Sequence, residues 1–304
     1  MATIRLSPPP DALPGSPPEP GILVDVETLR RMQAVTAATW AIEGPHALQH
    51  VGDLAWGRYQ HSGREHEWRV RLWQHGDEDV AWAWLRLPDS SLFWCVRPDV
   101  RESLVEQVLD WGDARVVEVQ STDMVSRAAL ERRGYRLDPG ARLAVHHREL
   151  ADELPVEAPP GFRLRTVEPD DFAARVELHR IVWAPSRVTE ESYRDVQAAW
   201  PYRADLDCIV ESPDGRLVAY CLAWLDPDNR AGELEPVGTH PDYRRLGLGS
   251  AVCRFALQRL REEGATRAVV YAVADDPANP GPKALYESIG FVETSRFLRY
   301  VRDG

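Results

Sequence analysis

The chain has 304 residues, which is long enough for two domains of about 150 residues, each with its own hydrophobic core. A formal net charge of −12 argues against nucleic acid or an anionic membrane as the main partner, and it agrees with a cationic substrate. No stretch is apolar for long enough to span a bilayer, and the four cysteines lack the CxxC spacing of metal sites. We therefore expect a reduced, cytoplasmic protein without a metal, a membrane span or a hydrophobic signal segment.

Prolines crowd residues 1–20, which predicts a mobile leader. A helix is predicted over 24–41, while residues 46–66 have no clear period. Alternating apolar residues then predict a mixed α/β domain that ends near residue 150. Its further predicted elements are strands 68–73, 80–85 and 91–96, helix 102–111, strand 114–119, helix 126–133 and strand 143–147.

Residues 151–161 are rich in proline and acidic residues, which is typical of a stiff exposed linker. Beyond the linker, helical patterns at 170–183 and 189–200 precede a predicted antiparallel meander of strands at 206–211, 216–224 and up to 240. A helix beginning at 247 and a strand at 268–273 follow. The order of elements predicts a second α/β domain over residues 162–304.

A glycine-rich turn precedes the helix of the second domain. Gly247 and Gly249 let the backbone approach a ligand without a Cβ in the way. The free N–H groups of the helix start and the positive end of its dipole favour an anion, and Arg244 and Arg245 add cationic donors. A diphosphate site and an ordinary helix start are both compatible with the glycine pair alone.

A wider pattern around the two glycines and a second motif downstream favour the diphosphate site over an ordinary helix start. Arg244-x-x-Gly247-x-Gly249, after a strand and Pro-Asp-Tyr, resembles the acyl-CoA signature of the GNAT superfamily of N-acetyltransferases, and residues 279–291 resemble that family's closing helix and strand. The resemblance covers about residues 161–304 and implies a slot for acetyl-CoA between two strands that splay apart. The cofactor-binding residues it implies are Val237, Gly238, Thr239, Arg244, Arg245, Leu246, Gly247, Leu248, Gly249, Ser250, Asn279 and Lys283. For Lys283 a purely solvated position is an open alternative.

The second half repeats the first, since a strand, a Pro-Asp turn and a Gly-aromatic close recur in both. The first copy has no glycine in residues 100–106, directly after Asp99, and Ser90, Leu92 and Leu130 stand where the second has Glu233, Glu235 and Tyr286. We therefore predict a tandem α/β (α+β) protein of two GNAT-like domains, each a mixed, mostly antiparallel twisted sheet flanked by helices. The domain at 21–150 is degenerate and either stabilises the active one or contacts substrate.

The chemistry that the resemblance implies is attack of an amine on a thioester. Glu233 and Glu235 share one face of a strand beside the slot. Glu235 is the predicted base because it is closer to the expected thioester, and Glu233 is the next choice. Two neighbouring carboxylates raise each other's pKa and attract a cation. Tyr286 is the predicted acid that protonates the leaving thiolate; the alternative is that its ring only packs beside the cofactor sulfur. The backbone N–H of Val237 is the predicted donor to the oxyanion.

The sequence thus predicts an acyltransferase that moves the acetyl group of acetyl-CoA to a primary amine of a small molecule by direct attack in a ternary complex. A non-catalytic acyl-CoA-binding regulator is the alternative from another class, and a protein amine is an alternative acceptor. We also consider a homodimer possible.

Overall fold

The computed structural model describes residues 4–6, 25–140, 142–152, 155–274 and 281–303. The predictions for Asn279, for the helix start at 24 and for most of the leader 1–20 lie outside the described residues, as do positions 153 and 154 of the linker. No helix in the described ranges is long and apolar enough to cross a membrane. All four cysteine thiols are free and buried.

The chain forms two compact units. Unit 1 comprises residues up to 49, 63–143 and 295–304, and unit 2 comprises 50–62 and 144–294. Three segments, 50–62, 144–150 and 295–304, therefore differ from the predicted ranges 21–150 and 162–304. Residues 50–62 belong to unit 2 because their helix packs Ala55 and Trp56 into a core with Trp224, and the last strand reaches unit 1 by pairing with a strand at 116–120.

Unit 1 is an α/β unit with a mostly antiparallel sheet. Its elements are β1 (Ile4–Leu6), α1 (Val26–Glu43), β2 (Trp68–His75), β3 (Glu78–Arg86), β4 (Ser91–Val96), α3 (Arg101–Gly112), β5 (Val116–Gln120), α4 (Met124–Arg132), β6 (Arg136–Leu137), the first residues of β7 (Arg142–Glu149) and the end of β13 (Val292–Val301). The strands follow the order β1-β2-β3-β4-β5-β13, and β4 with β5 is the parallel pair. Apolar side chains of the sheet and of α3 and α4 form its core.

Unit 2 repeats this plan. Its elements are α2 (Val51–Tyr59), β8 (Arg163–Thr166), α5 (Phe172–Val182), α6 (Glu190–Ala198), β9 (Asp207–Glu211), β10 (Leu217–Asp226), β11 (Ala231–Thr239), α7 (Leu248–Glu262), β12 (Arg267–Ala274) and α8 (Gly281–Ser288). The strands follow the order β7-β12-β11-β10-β9-β8, and β11 with β12 is the parallel pair. One face of the sheet is covered by α7 and the other by α2, α5 and α6.

The predicted fold class is confirmed. Period-two patterns became β2 and β3, paired from Trp68 with Arg86 to His75 with Glu78, and the predicted meander became β9, β10 and β11. Residues 46–66, which had no clear period, contain α2. This helix is short, and a capping box of His50 and Asp53 begins it.

The glycine turn has no counterpart in unit 1. There a single 3₁₀ turn, Pro98–Val100, leads directly into α3. The first residue of α3, Arg101, bonds Glu43 at 2.6 Å and the carbonyl of Val96 at 3.0 Å. A cation of the chain itself thus lies at the position where unit 2 presents free N–H groups.

Candidate active site

The turn before α7 keeps its backbone donors free. Gly247 adopts a left-handed conformation (φ 79°) as the N-cap, and Arg245 is also left-handed (φ 64°). The first intrahelical bond runs from Ala251 N–H to the Gly247 carbonyl at 3.0 Å. The N–H groups of residues 248–250 therefore have no intrahelical partner, and no side chain of the described residues caps them. This arrangement suits an anion.

Gly249 is needed because the backbone is crowded on its far side. A Cβ there would lie 2.8 Å from the Leu285 side chain and 3.3 Å from the Thr239 hydroxyl. Alanine at 249 would force the Leu285 side chain to move. The glycine therefore lets three elements meet around the free N–H groups, which fits a bulky phosphate ligand.

The two parallel strands beside the turn separate. β11 and β12 are paired only from Ala231 with Arg267 to Glu233 with Val269, and each strand continues beyond. On the other side of β11, the N–H of His240 bonds the Val218 carbonyl at 2.9 Å. Because successive N–H groups of a strand point in opposite directions, the N–H of Val237 points towards the gap. The gap therefore offers a strand edge to a ligand arm.

A cavity of about 600 Å³ joins the turn and the gap. Most of the predicted cofactor-binding residues line it. Leu246 is half-exposed outside the lining, and the Lys283 ammonium lies 3.3 Å from Glu293 instead of at the cavity. The predicted residues in the lining are Val237, Gly238, Thr239, Arg244, Arg245, Gly247, Leu248, Gly249, Ser250 and Tyr286, and the lining residues that the sequence analysis missed are Val182, Trp183, Tyr243, Gly281, Pro282 and Leu285.

The two predicted carboxylates lie on β11, next to the gap. Glu233 is fully buried and Glu235 partly buried. Burial raises the pKa of each to about 8, and the charge of Glu235 adds to the rise at Glu233. The β10–β11 register is irregular opposite Glu235, whose carbonyl accepts a 2.6 Å hydrogen bond from the Trp224 indole. This bond fixes the backbone of Glu235 next to the gap.

Sequence reasoning missed the part that α2 plays. Its N-terminus brings His50 to the carboxylates, with Nδ1 3.2 Å from a carboxylate oxygen of Glu233. Asp53 adds a third carboxyl group, and burial together with the Glu233 charge raises its pKa well above the ordinary value. The capping box was a signal for the helix, but nothing local links α2 to a strand about 180 residues away.

Tyr286 lies on α8 at the cavity wall, 7% exposed. Burial raises its pKa well above the ordinary value, so the phenol carries its proton across the working pH range. Its ring meets Phe291 edge-on, with centroids 6.0 Å apart. A protonated phenol at this wall can donate to an anion that forms in the cavity.

An aromatic cluster forms the wall towards α5. The Tyr220 hydroxyl lies 2.8 Å from His179 Nδ1 and from the Trp183 indole nitrogen. A Cβ at Gly238 would lie 2.7 Å from the Tyr220 ring and 2.8 Å from Val182. Burial lowers the pKa of His179 to about 3, so this imidazole stays neutral. The cluster restricts the room beside Gly238.

The family model described as "Acetyltransferase (GNAT) family" matches residues 175–291. A mycothiol acetyltransferase of Thermobispora bispora is 30% identical over 252 residues, which cover 77% of this chain and 83% of that protein. The chain therefore belongs to the acetyltransferase (GNAT) family, whose members are acyl-CoA-dependent N-acetyltransferases, as the sequence predicted.

Two further proteins are similar to the chain. A mycothiol acetyltransferase of Saccharomonospora viridis is 28% identical over 156 residues, which cover 47% of this chain and only half of that protein's length. A solved tandem GNAT protein from the clavulanic acid biosynthesis pathway superposes with a TM-score of 0.60 at 15% identity, covering 91% of this chain and 95% of that one. The latter likeness shows that the tandem fold is shared.

Proposed function

We propose that the protein transfers the acetyl group of acetyl-CoA to a primary amine of a small molecule by direct attack in a ternary complex. The observation that carries this proposal is the juxtaposition in unit 2 of free helix N–H groups, an open strand edge and carboxyl groups whose pKa lies near 8. A site that only bound the cofactor would need the free N–H groups and the open strand edge, but not the carboxyl groups.

The residues fit the cofactor. The N–H groups of residues 248–250, with Arg244 and Arg245 beside them, would hold the diphosphate, and the β11 edge would pair with the amides of the pantetheine arm. When bound, acetyl-CoA supplies an acyl group activated as a thioester. The Gly249 cradle, which a Cβ would fill, supports this assignment.

Each catalytic role follows from the chemistry of the group. An alkyl ammonium has a pKa near 10 and must lose a proton before it attacks, and a carboxylate of pKa about 8 can take that proton far better than one of pKa 4.5. We assign this role to Glu235, with Glu233 next. The N–H of Val237 would stabilise the negative charge on the carbonyl oxygen, and Tyr286 would return a proton to the thiolate.

The acceptor is a small amine in this proposal. Two relatives are named mycothiol acetyltransferase, so the cysteinyl amine that mycothiol synthases acetylate is one candidate. Aminoglycosides and polyamines are further candidates, and the net charge of −12 favours all of these over a basic protein surface.

Release of free CoA, followed with a thiol reagent across a panel of amines, tests the proposal. We expect turnover with at least one small amine and loss of turnover in Glu235→Gln, with CoA binding retained. CoA binding without turnover on any amine would favour the regulator, and absence of CoA binding would contradict both readings.

A further inference from the structure

Trp183 is a large apolar side chain that the fold leaves half-exposed beside the cavity. It is the residue that ends α5, and 52% of its surface is accessible, although tryptophan is on average a well-covered residue. It lines the cavity of about 600 Å³ together with Gly238 on β11. An exposed indole at a cavity wall is a candidate ligand contact.

The indole is held in one orientation by hydrogen bonds. Its N–H donates to the Tyr220 hydroxyl oxygen at 2.8 Å, and the same hydroxyl lies 2.8 Å from His179 Nδ1. The backbone N–H of Trp183 donates to the carbonyl of His179 at 3.0 Å. Because the one polar atom of the indole is bonded to the protein, the rings can offer a ligand only apolar and π surface.

The residues that support the indole are tightly packed. Tyr220 is fully buried, and the Arg175 guanidinium lies 3.7 Å from the centroid of its ring. The end of α5 lies directly on β11, because Val182 and Tyr220 leave no room for a Cβ at Gly238. A side chain that is already fixed loses little conformational entropy when a ligand covers it.

The indole lies beside the stretch of β11 that would pair with the cofactor arm. The N–H groups of Val237 and Thr239 point towards the gap, since the alternate N–H groups of this stretch point towards β10. An arm that bonds both of them runs alongside Gly238. This is the residue against which Val182 packs, so the arm passes next to Trp183, the neighbour of Val182 in the cavity lining.

The charges of the cavity indicate which ligand the indole meets. Among the described residues of the lining, the charged side chains are those of Arg244 and Arg245, and none is a carboxylate. Glu233 and Glu235, which would receive an ammonium group, are not part of this lining. A cation could be attracted by the ring face, but here it would meet two guanidinium groups and no counter-charge. A neutral segment rich in methyl and methylene groups suits the indole better.

We propose that Trp183 is a cofactor-binding residue: its indole covers the pantetheine arm of acetyl-CoA and packs against the methyl and methylene groups of that arm. The inference rests on the proposed function, because it takes acetyl-CoA as the ligand of the cavity. It adds a contact from α5 to those that the glycine turn and the β11 edge would make.

Calorimetry with CoA and with ADP tests the inference. ADP carries a diphosphate and lacks the arm, so it reports on the turn alone. In Trp183→Ala the Kd for CoA should rise by about ten-fold or more, while the Kd for ADP stays at the wild-type value. Trp183→Phe keeps an aromatic ring but cannot donate to Tyr220, so a smaller rise in the Kd for CoA is expected.

A matched control lies on the same helix. Ile181 is 36% exposed and is not part of the cavity lining, so Ile181→Ala should bind CoA and ADP as wild type does. If Trp183→Ala binds CoA as tightly as wild type, the inference is wrong. It is also wrong if the Kd values for CoA and ADP rise equally, because the turn itself is then disturbed, or if only the KM for the amine rises, because the indole then contacts the acceptor.

Tryptophan fluorescence gives a second readout that needs neither turnover nor an acceptor. Saturating CoA should change the emission of wild-type protein, and Trp183→Phe should lose most of that change. An undiminished change in Trp183→Phe overturns the inference. A wild-type protein that binds CoA but acetylates no amine overturns the proposed function alone, because calorimetry and fluorescence do not depend on turnover.

Discussion

Replacing Glu233 with glutamine tests the electrostatic picture through stability. The side chain is fully buried, and its pKa rises from an ordinary 4.5 to about 8, chiefly through burial. A carboxyl group whose folded-state pKa is raised favours folding at low pH, and that contribution disappears as the pH rises through about 8. At about 1.4 kcal/mol per unit, ionisation lowers the free energy of unfolding by about 3 kcal/mol at pH 7 and by about 5 kcal/mol above pH 8.

Glutamine has nearly the same shape and never ionises. The free energy of unfolding of Glu233→Gln should therefore exceed that of wild type by several kcal/mol at pH 9, up to about 5, and by less than about 1 kcal/mol at pH 5. Urea unfolding followed by tryptophan fluorescence at pH 5, 7 and 9 measures this difference. The matched control is Glu177→Gln, an exposed glutamate on α5, which should give no pH-dependent gain. If the difference in the free energy of unfolding between Glu233→Gln and wild type is the same at pH 5 and pH 9, the reasoning is refuted.

Three predictions concern activity and cofactor binding. Because burial raises the pKa of Glu235 to about 8, kcat/KM should rise as the pH increases through about 8. In a pH-rate profile, Glu235→Gln should remove this rise and lower kcat by about 100-fold or more. Tyr286→Phe keeps the ring and loses the proton, so steady-state kinetics should give a kcat lower by about ten-fold or more with the KM for acetyl-CoA nearly unchanged; an unaltered kcat would assign Tyr286 to packing. Gly249→Val should weaken CoA binding about ten-fold or more in calorimetry, because a Cβ at this position already lies 2.8 Å from the Leu285 side chain. The control Gln258→Ala, further along α7, should bind CoA as tightly as wild type. Equal affinities of Gly249→Val and wild type would place the diphosphate elsewhere.

Local patterns predicted much of the fold. The β2–β3 hairpin and the amphipathic α7 follow from side-chain periods of two and 3.6, which need only neighbouring residues to be seen. Boundaries moved by a few residues, as at α3, which begins at Arg101. Residues 46–66 gave no period because α2 is short and most of its residues are partly or fully buried.

What the sequence by itself determined is the turn before α7 and the family to which the chain belongs. Glycines at 247 and 249 are required by a left-handed φ and by a close approach to Leu285, and such requirements leave a mark at the position itself. The repeated strand and turn patterns likewise predicted two copies of one fold, and the corresponding parallel pairs β4–β5 and β11–β12 confirm the repeat.

Only the tertiary structure decided how the carboxylates are surrounded. Asp53 and Glu233 are 180 positions apart, and neither residue type nor spacing indicates that they meet. Burial is equally invisible locally, because glutamates that alternate along a strand could as well have faced solvent. Burial raises the pKa of Glu233 and of Glu235 to about 8, so the sequence could suggest a candidate base but not the buried environment that shifts its pKa.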